Sequence, residues 1–142
     1  MESFKHISPA ENIENPHVHK MELLIDGESV GAADVDYYSK PFPLYQISNL
    51  GIDHDKQNQG YAGKLMSYIE EVLIKKGKAG VLVDAIDPES PAHGMYERRG
   101  WTEVPDSGGL YVFNMPKGAT LDLLKGYSFR YTDPMIRKGI DV

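Results

Sequence analysis

Residues 57–64 read Gln57-Asn58-Gln59-Gly60-Tyr61-Ala62-Gly63-Lys64, a small and polar run set directly before an apolar-periodic segment. Small residues let backbone come close to a ligand, and the first turn of a helix leaves amide donors unpaired at the positive end of its dipole. Such a turn binds phosphate. It has neither the four-residue gap between glycines nor the hydroxyl after the lysine that a magnesium-nucleotide loop requires. It is not a dinucleotide fingerprint either, because the glycine offsets differ and Asp84 falls inside the next strand, where it is a poor ribose partner. Taken alone, these glycines are explained as well by ordinary helix-start chemistry and close helix packing. The chain has no cysteine, which removes disulfides, a thiol nucleophile and zinc sites built on thiolates. His6, His17, His19, His54 and His93 show no ligand spacing, so the rings are expected to be exposed and no metal is expected. Tyr96 alone reads as a core aromatic whose hydroxyl finds a carbonyl, Trp101 as core packing, and Arg98 and Arg99 as a solvated face in preference to an ion pair or a phosphate contact.

Periodicity predicts the elements that position this turn. The first twenty residues carry few apolar anchors (Phe4, Ile7, Ile13) and are interrupted by Pro9 and Pro16, which reads as a short strand or arm followed by loop. Met21 to Ile25 and Val30 to Tyr38 are strand-like runs joined by the two-residue hairpin signal Asp26-Gly27. Residues 39–43 end the second strand with two prolines. Leu44 to Ile52 follows as a third, with Tyr45, Ile47 and Asn49 on one face and Gln46, Ser48 and Leu50 on the other. Between Gly60 and Lys76, Ala62, Leu65, Met66, Ile69, Val72 and Leu73 recur at helical spacing, while Lys64, Ser67, Glu70, Glu71 and Lys75 fall elsewhere. Gly77 is a left-handed terminator, and Lys75 and Lys76 suit the negative end of the dipole. Gly80 to Ile86 reads as a strand buried on both faces, completing a strand-helix-strand crossover with parallel strands. A second helix starts with Ser90 as cap and Pro91 at its first position and ends by Gly100. Trp101 to Val104 and Leu110 to Met115 are short strands linked by residues 106–109. The tail from Pro116 carries Leu121, Leu123, Leu124, Tyr127, Phe129 and Tyr131, too apolar for a disordered extension, so it is expected to pack on something.

Gln57-x-x-Gly60-x-Ala62 resembles the Arg/Gln-x-x-Gly-x-Gly/Ala motif of the GNAT superfamily of N-acetyltransferases, which likewise follows a strand and opens a helix. The family's second signature, an alanine four residues before a tyrosine and then a glycine-aromatic pair, resembles Ala92-x-x-x-Tyr96-Glu97-Arg98-Arg99-Gly100-Trp101. One helix and one strand separate the two motifs, in the family's order, and the resemblance spans roughly residues 21–115. It implies an α/β (α+β layered) fold with a mixed, mostly antiparallel central sheet, a central βαβ unit and a reduced N-terminal helical region. It implies acetyl-CoA as co-substrate, with no metal. Backbone amides of Gln57, Asn58, Gln59, Gly60, Tyr61, Ala62, Gly63 and Lys64 would hold the pyrophosphate. Backbone groups of Leu50 and Ile52 would pair with the pantetheine arm and orient the acyl carbonyl. Tyr96 would be the general acid for the departing thiolate, a role open to a phenol whose ordinary pKa lies near ~10. With no covalent nucleophile evident, transfer is direct. The strand before the turn, Tyr45 to Leu50, lacks the carboxylate that serves many members as base, which leaves water, His54, His93, Asp34 or Asp36 to take the proton. Glu89 stands where the family commonly has an asparagine, and the scant N-terminal region replaces two helices that usually wall the acceptor site.

A length of 142 residues with 41% apolar composition suits one domain with one core. The expected organisation is a single domain over residues 1–142, its core at about 21–115 and residues 116–142 an apolar extension that packs on the acceptor site or on a dimer partner. Fifteen basic against 21 acidic residues give a formal charge of −6, which disfavours nucleic acid and anionic membranes and suits a cationic amine. No apolar stretch is long enough to span a bilayer, and Met1 to His6 has no signal pattern, so a cytoplasmic location is expected. The reading is thus an N-acetyltransferase acting on a primary amine of a small molecule or peptide. The apolar tail favours a homodimer. The alternatives are a catalytically degenerate acyl-CoA sensor or assembly module, and an acyltransferase toxin acting on charged tRNA.

Overall fold

The computed structural model describes residues 1–14, 16, 18–38, 43–74, 78–83, 91–105, 110–115, 118 and 120, with backbone alone at 38, 81–83 and 91–93. One unit is formed by Met1–Asp36 with Ile47–Lys76, the other by Tyr37–Gln46 with Gly77–Val142.

In the first unit the strands lie in the order β1 (Glu2–Ile7), β2 (Val18–Ile25), β3 (Glu28–Tyr38), β4 (Leu44–Ile52). The first two neighbouring pairs are antiparallel. Asp26 and Gly27 both have positive φ, 52° and 83°, the two-residue turn whose twist matches the flanking strands, and Ile25 pairs Glu28 directly across it. The register shifts between Leu23, opposite Gly31, and Leu24, opposite Ser29, leaving Val30 as the extra residue. The Val30 carbonyl accepts the Asp53 amide at 2.8 Å. Gly31 is required by contact: a Cβ there would stand 2.4 Å from Ile52 Cδ1 and 2.9 Å from the Gly51 carbonyl oxygen. β2 begins three residues before the expected Met21. Residues 8–14 and 16 form turns rather than helices, consistent with the reduced N-terminal region.

α1 (Tyr61–Ile69) covers one face of these strands, burying Leu65, Met66 and Ile69 together with Met21, Leu23, Ala33 and Val35. Each such large apolar side chain contributes about 2 kcal/mol of burial. Beyond Ile69 the chain widens into a π-helical turn, Glu70–Ile74. Regular spacing predicts Val72 inside, but the wider turn carries the buried stripe from Ile69 to Leu73 and Ile74, five residues on, and Val72 is 44% exposed. The expected helix end at Lys75, Lys76 and Gly77 lies outside the described residues.

In the second unit the start of β4 neighbours β5 (Gly80–Val83), then β7 (Leu110–Phe113) and β6 (Thr102–Glu103). The Tyr45 amide donates to the Ala79 carbonyl at 2.9 Å, and β5/β7 and β6/β7 are antiparallel. The fold is thus mixed α/β with a mostly antiparallel sheet. α2 (Pro91–Arg98) opens on its proline as expected. Its end is a full left-handed cap: Gly100 has φ 91°, the Trp101 amide bonds the Tyr96 carbonyl at 3.0 Å, and the Gly100 amide bonds that of Glu97 at 3.0 Å. The glycine-aromatic pair is therefore a helix stop that turns Trp101 inward, 2% exposed and 5.4 Å from the Phe113 ring. Residues 84–90, the 106–109 link and 121–142 lie outside the described residues, and with them Asp84, Glu89, Ser90 and the apolar tail.

Candidate functional site

In the first unit β4 leads into the turn that opens α1. Asn49 sits in β4 with φ 52°, a left-handed residue that interrupts the strand's alternation, so the expected faces hold only up to Ser48. Its side-chain amide donates to Asp34 Oδ2 at 2.9 Å, which pins the irregularity to β3. Leu50 and Ile52 follow, both half-buried. A single 3₁₀ turn, His54–Lys56, reverses the chain, and Gln57 Nε2 donates back to the Ile52 carbonyl at 3.1 Å. Sequence reasoning gave Gln57 a backbone role alone; the structure adds a side chain that closes the loop.

Asn58 and Gly60 both have positive φ, 64° and 80°. Gly60 is the residue before α1, and the first helical bond of the turn runs from the Lys64 amide to the Gly60 carbonyl at 3.2 Å. The amides of Tyr61, Ala62 and Gly63 precede that bond and lie at the positive end of the helix. A Cβ built at Gly60 or at Gly63 meets nothing within 4 Å. Gly60 is needed for its dihedral, whereas Gly63 leaves open space beside the backbone. Three amides ahead of the first helical bond, with room for close approach, are what a diphosphate would require. Gln57, Asn58, Gln59, Gly60 and Lys64 are exposed, and Tyr61, Ala62 and Gly63 half-buried.

The structure also brings together residues that spacing could not pair. Lys64 forms an ion pair with Glu2 of β1, and Phe4 stacks on Tyr68 with ring centroids 4.4 Å apart. Burial raises the Tyr68 phenol above its ordinary pKa, so the ring is neutral. His6 Nε2 and His19 Nδ1 lie 2.7 Å apart, correcting the expectation of two exposed rings. Burial first, and the neighbouring His6 second, hold His19 below the ordinary histidine pKa. Of the candidate bases in this unit, Asp34 accepts the Asn49 bond, Asp36 is 2% exposed and His54 is exposed.

Tyr96 belongs to the second unit. It lies on α2, 2% exposed, its ring 5.1 Å from that of Tyr111 and tilted by 60°. Ala92 and His93 are on the same helix, with side chains outside the described residues. Among the described residues no group of three or more His, Cys, Asp or Glu could hold a metal ion, and no helix is long and apolar enough to cross a membrane.

Comparison with known proteins places these features in context. The model of the acetyltransferase (GNAT) family matches residues 2–101. No curated protein matches the sequence. Among solved structures, the ribosomal-protein-S18-alanine N-acetyltransferase of Escherichia coli superposes with a TM-score of 0.61 at 17% identity, over 84% of this chain and 96% of that one. Arabidopsis thaliana NAA60 in complex with a bisubstrate analogue gives 0.59 at 15%, over 84% and 100%. An aminoglycoside acetyltransferase from an uncultured soil metagenomic sample gives 0.56 at 17%, over 72% and 93%. At these identities the likeness is one of fold.

Proposed function

The chain belongs to the GNAT family of acetyltransferases, and from that premise we propose that it moves the acetyl group of acetyl-CoA to a primary amine of a small molecule or peptide by direct attack. The observation that carries this reading is the start of α1, where three amides precede the first helical bond and the glycines leave open space. Amides from Gln57 to Lys64 bind the pyrophosphate, and backbone groups of Leu50 and Ile52 pair with the pantetheine arm. The amine nitrogen attacks the thioester carbonyl carbon, forming the C–N bond. The tetrahedral oxyanion collapses with cleavage of the C–S bond, and Tyr96 gives its proton to the departing thiolate. The nitrogen's proton leaves to water or to His54, His93, Asp34 or Asp36.

Similar structures include enzymes named for the alanine of a ribosomal protein and for aminoglycosides. Both classes of acceptor carry amines, and a chain of formal charge −6 favours a cationic one. We further assign the work to one domain spanning the chain, in a cytoplasmic homodimer, with the tail beyond Pro116 beside the acceptor or the partner.

Thermal unfolding with acetyl-CoA and a screen of amines with thiol detection test the reading. At a hundredfold excess over Kd, a ligand of the native state adds about 2.7 kcal/mol, roughly 5–10 °C for a chain of this length. Tyr96→Phe lowers kcat by about a hundredfold and leaves coenzyme affinity within twofold. No thermal shift at millimolar acetyl-CoA sinks the coenzyme site. An unchanged kcat in Tyr96→Phe removes only the role of that tyrosine.

A further inference from the structure

β1 and α1 of the first unit meet at two points that are in step. Strand residues two apart, Glu2 and Phe4, reach helix residues four apart, Lys64 and Tyr68; the strand advances about 6.6 Å over that interval and the helix about 6 Å. The Phe4 and Tyr68 rings stack with 15° between planes. Lys64 Nζ bonds both carboxylate oxygens of Glu2, Oε2 at 2.9 Å, and stands 5.9 Å from the Tyr61 ring centroid. Tyr61 is the first residue of α1, three before Lys64. The lysine therefore leans back toward the helix start, as the tilt of helical side chains dictates. An ammonium leans toward the positive end of the dipole there, and the anion that holds this ammonium is the carboxylate of Glu2.

We propose that Glu2 is an internal competitor for the coenzyme: it holds Lys64 in the free protein and yields it when an anionic group of acetyl-CoA arrives. The proposal rests on the reading of this turn as the coenzyme cradle. Side-chain exposures of 46% for Lys64 and 37% for Glu2 make the pair exchangeable, since ion pairs of this kind shift an equilibrium by roughly 1.5- to 5-fold. The stacked Phe4 and Tyr68 keep β1 in place while the carboxylate lets go. The consequence is a weaker grip on both acetyl-CoA and its product CoA, which favours release after transfer.

The experiment is isothermal titration of acetyl-CoA into the full chain and its E2Q, K64M and E2Q/K64M variants. At about 20 mM salt, E2Q binds roughly threefold tighter than the unaltered chain. At about 1 M salt, where screening is effective over ~3 Å, the gain disappears. K64M binds more weakly, and adding E2Q to it changes nothing. Binding that E2Q leaves unchanged or weakens at low salt overturns the proposal alone, as does an equal gain on the K64M background. Absence of binding by the unaltered chain overturns the cradle reading and this proposal with it.

Discussion

Three glycines of the first unit share a residue type and differ in the reason for it. Gly31 is fixed by a neighbour, since any side chain there meets Ile52 and the Gly51 carbonyl; Gly60 is fixed by its φ of 80°; Gly63 is fixed by nothing among the described residues. Gly60→Ala is expected to destabilise the chain by about 1–2 kcal/mol, the penalty of a left-handed side-chain-bearing residue. Gly63→Ala gains helix propensity of about 1 kcal/mol, so it raises Tm by roughly 2–4 °C. If the open space at Gly63 is where the coenzyme approaches, the same methyl group weakens acetyl-CoA binding by roughly tenfold, a loss of 1.4 kcal/mol. Calorimetry and titration on the one variant therefore read opposite signs; a more stable chain with unaltered affinity removes Gly63 from the site. The run Gln57 to Lys64 was legible in sequence as a loop that opens a helix, because a small and polar stretch stands directly before helical spacing. The side-chain bond from Gln57 to Ile52 was not, since it depends on the 3₁₀ turn folding the loop back. Asn49 carried a signal that could have been read, as asparagine is enriched at positive φ even where a strand pattern surrounds it.

Elements were legible where one periodicity ran uninterrupted. The β2–β3 hairpin follows from Asp26-Gly27 between two apolar runs, and α2 from its opening proline and its closing Gly100. The carboxyl half of the α1 segment was misread because a π turn conserves composition while moving the face, and only the packing of Ile69 and Ile74 on one side reveals it. β1 was seen as a strand or arm without a partner. Its burial is low along most of its length, and what ties it down is pairing with β2 and single contacts to α1. The His6–His19 bond belongs to that pairing, because β1 and β2 run antiparallel with His6 opposite Met21, two residues from His19. The bond needs one ring nitrogen to donate and the other to accept, so two fully protonated rings cannot keep it. His19 is held below the ordinary histidine value, so the unfolded chain takes up a proton at higher pH than the folded one. Stability then rises with pH across the interval and is lost as pH falls from the ordinary value near ~6.5 down through the lowered one. Because the ring is only half-buried, the effect is discounted to roughly 2 °C of Tm between pH 7 and pH 5. Thermal scans of the unaltered chain and His19→Asn check it: the pH-dependent component should vanish in the variant, and an identical slope in both would place the titration elsewhere.

At the scale of the whole chain, family membership reaches from residue 2 to residue 101, nineteen residues further toward the amino end than the motifs had suggested. The reason is physical: Glu2 to Lys5 are exposed, so β1 lacks the apolar alternation by which strands are recognised, although it carries Glu2 and Phe4 to α1. Charge acts on the same scale. A chain of formal charge −6 and a polyanionic coenzyme repel each other at distances where local donors are not yet felt; in the proposed reading, only the final approach is governed by the amides at α1. Raising ionic strength from about 20 to about 200 mM shortens the screening length from roughly 20 Å to roughly 7 Å. The association rate of acetyl-CoA should therefore rise with salt over this range, by roughly two- to fivefold, while kcat/KM for a cationic amine falls. Stopped-flow mixing with a fluorescent coenzyme A analogue provides the rate. If coenzyme association slows as salt increases, the local charge of Lys56 and Lys64 outweighs the field of the chain. Attraction at the turn, rather than repulsion by the acidic surface, then sets how fast the coenzyme arrives.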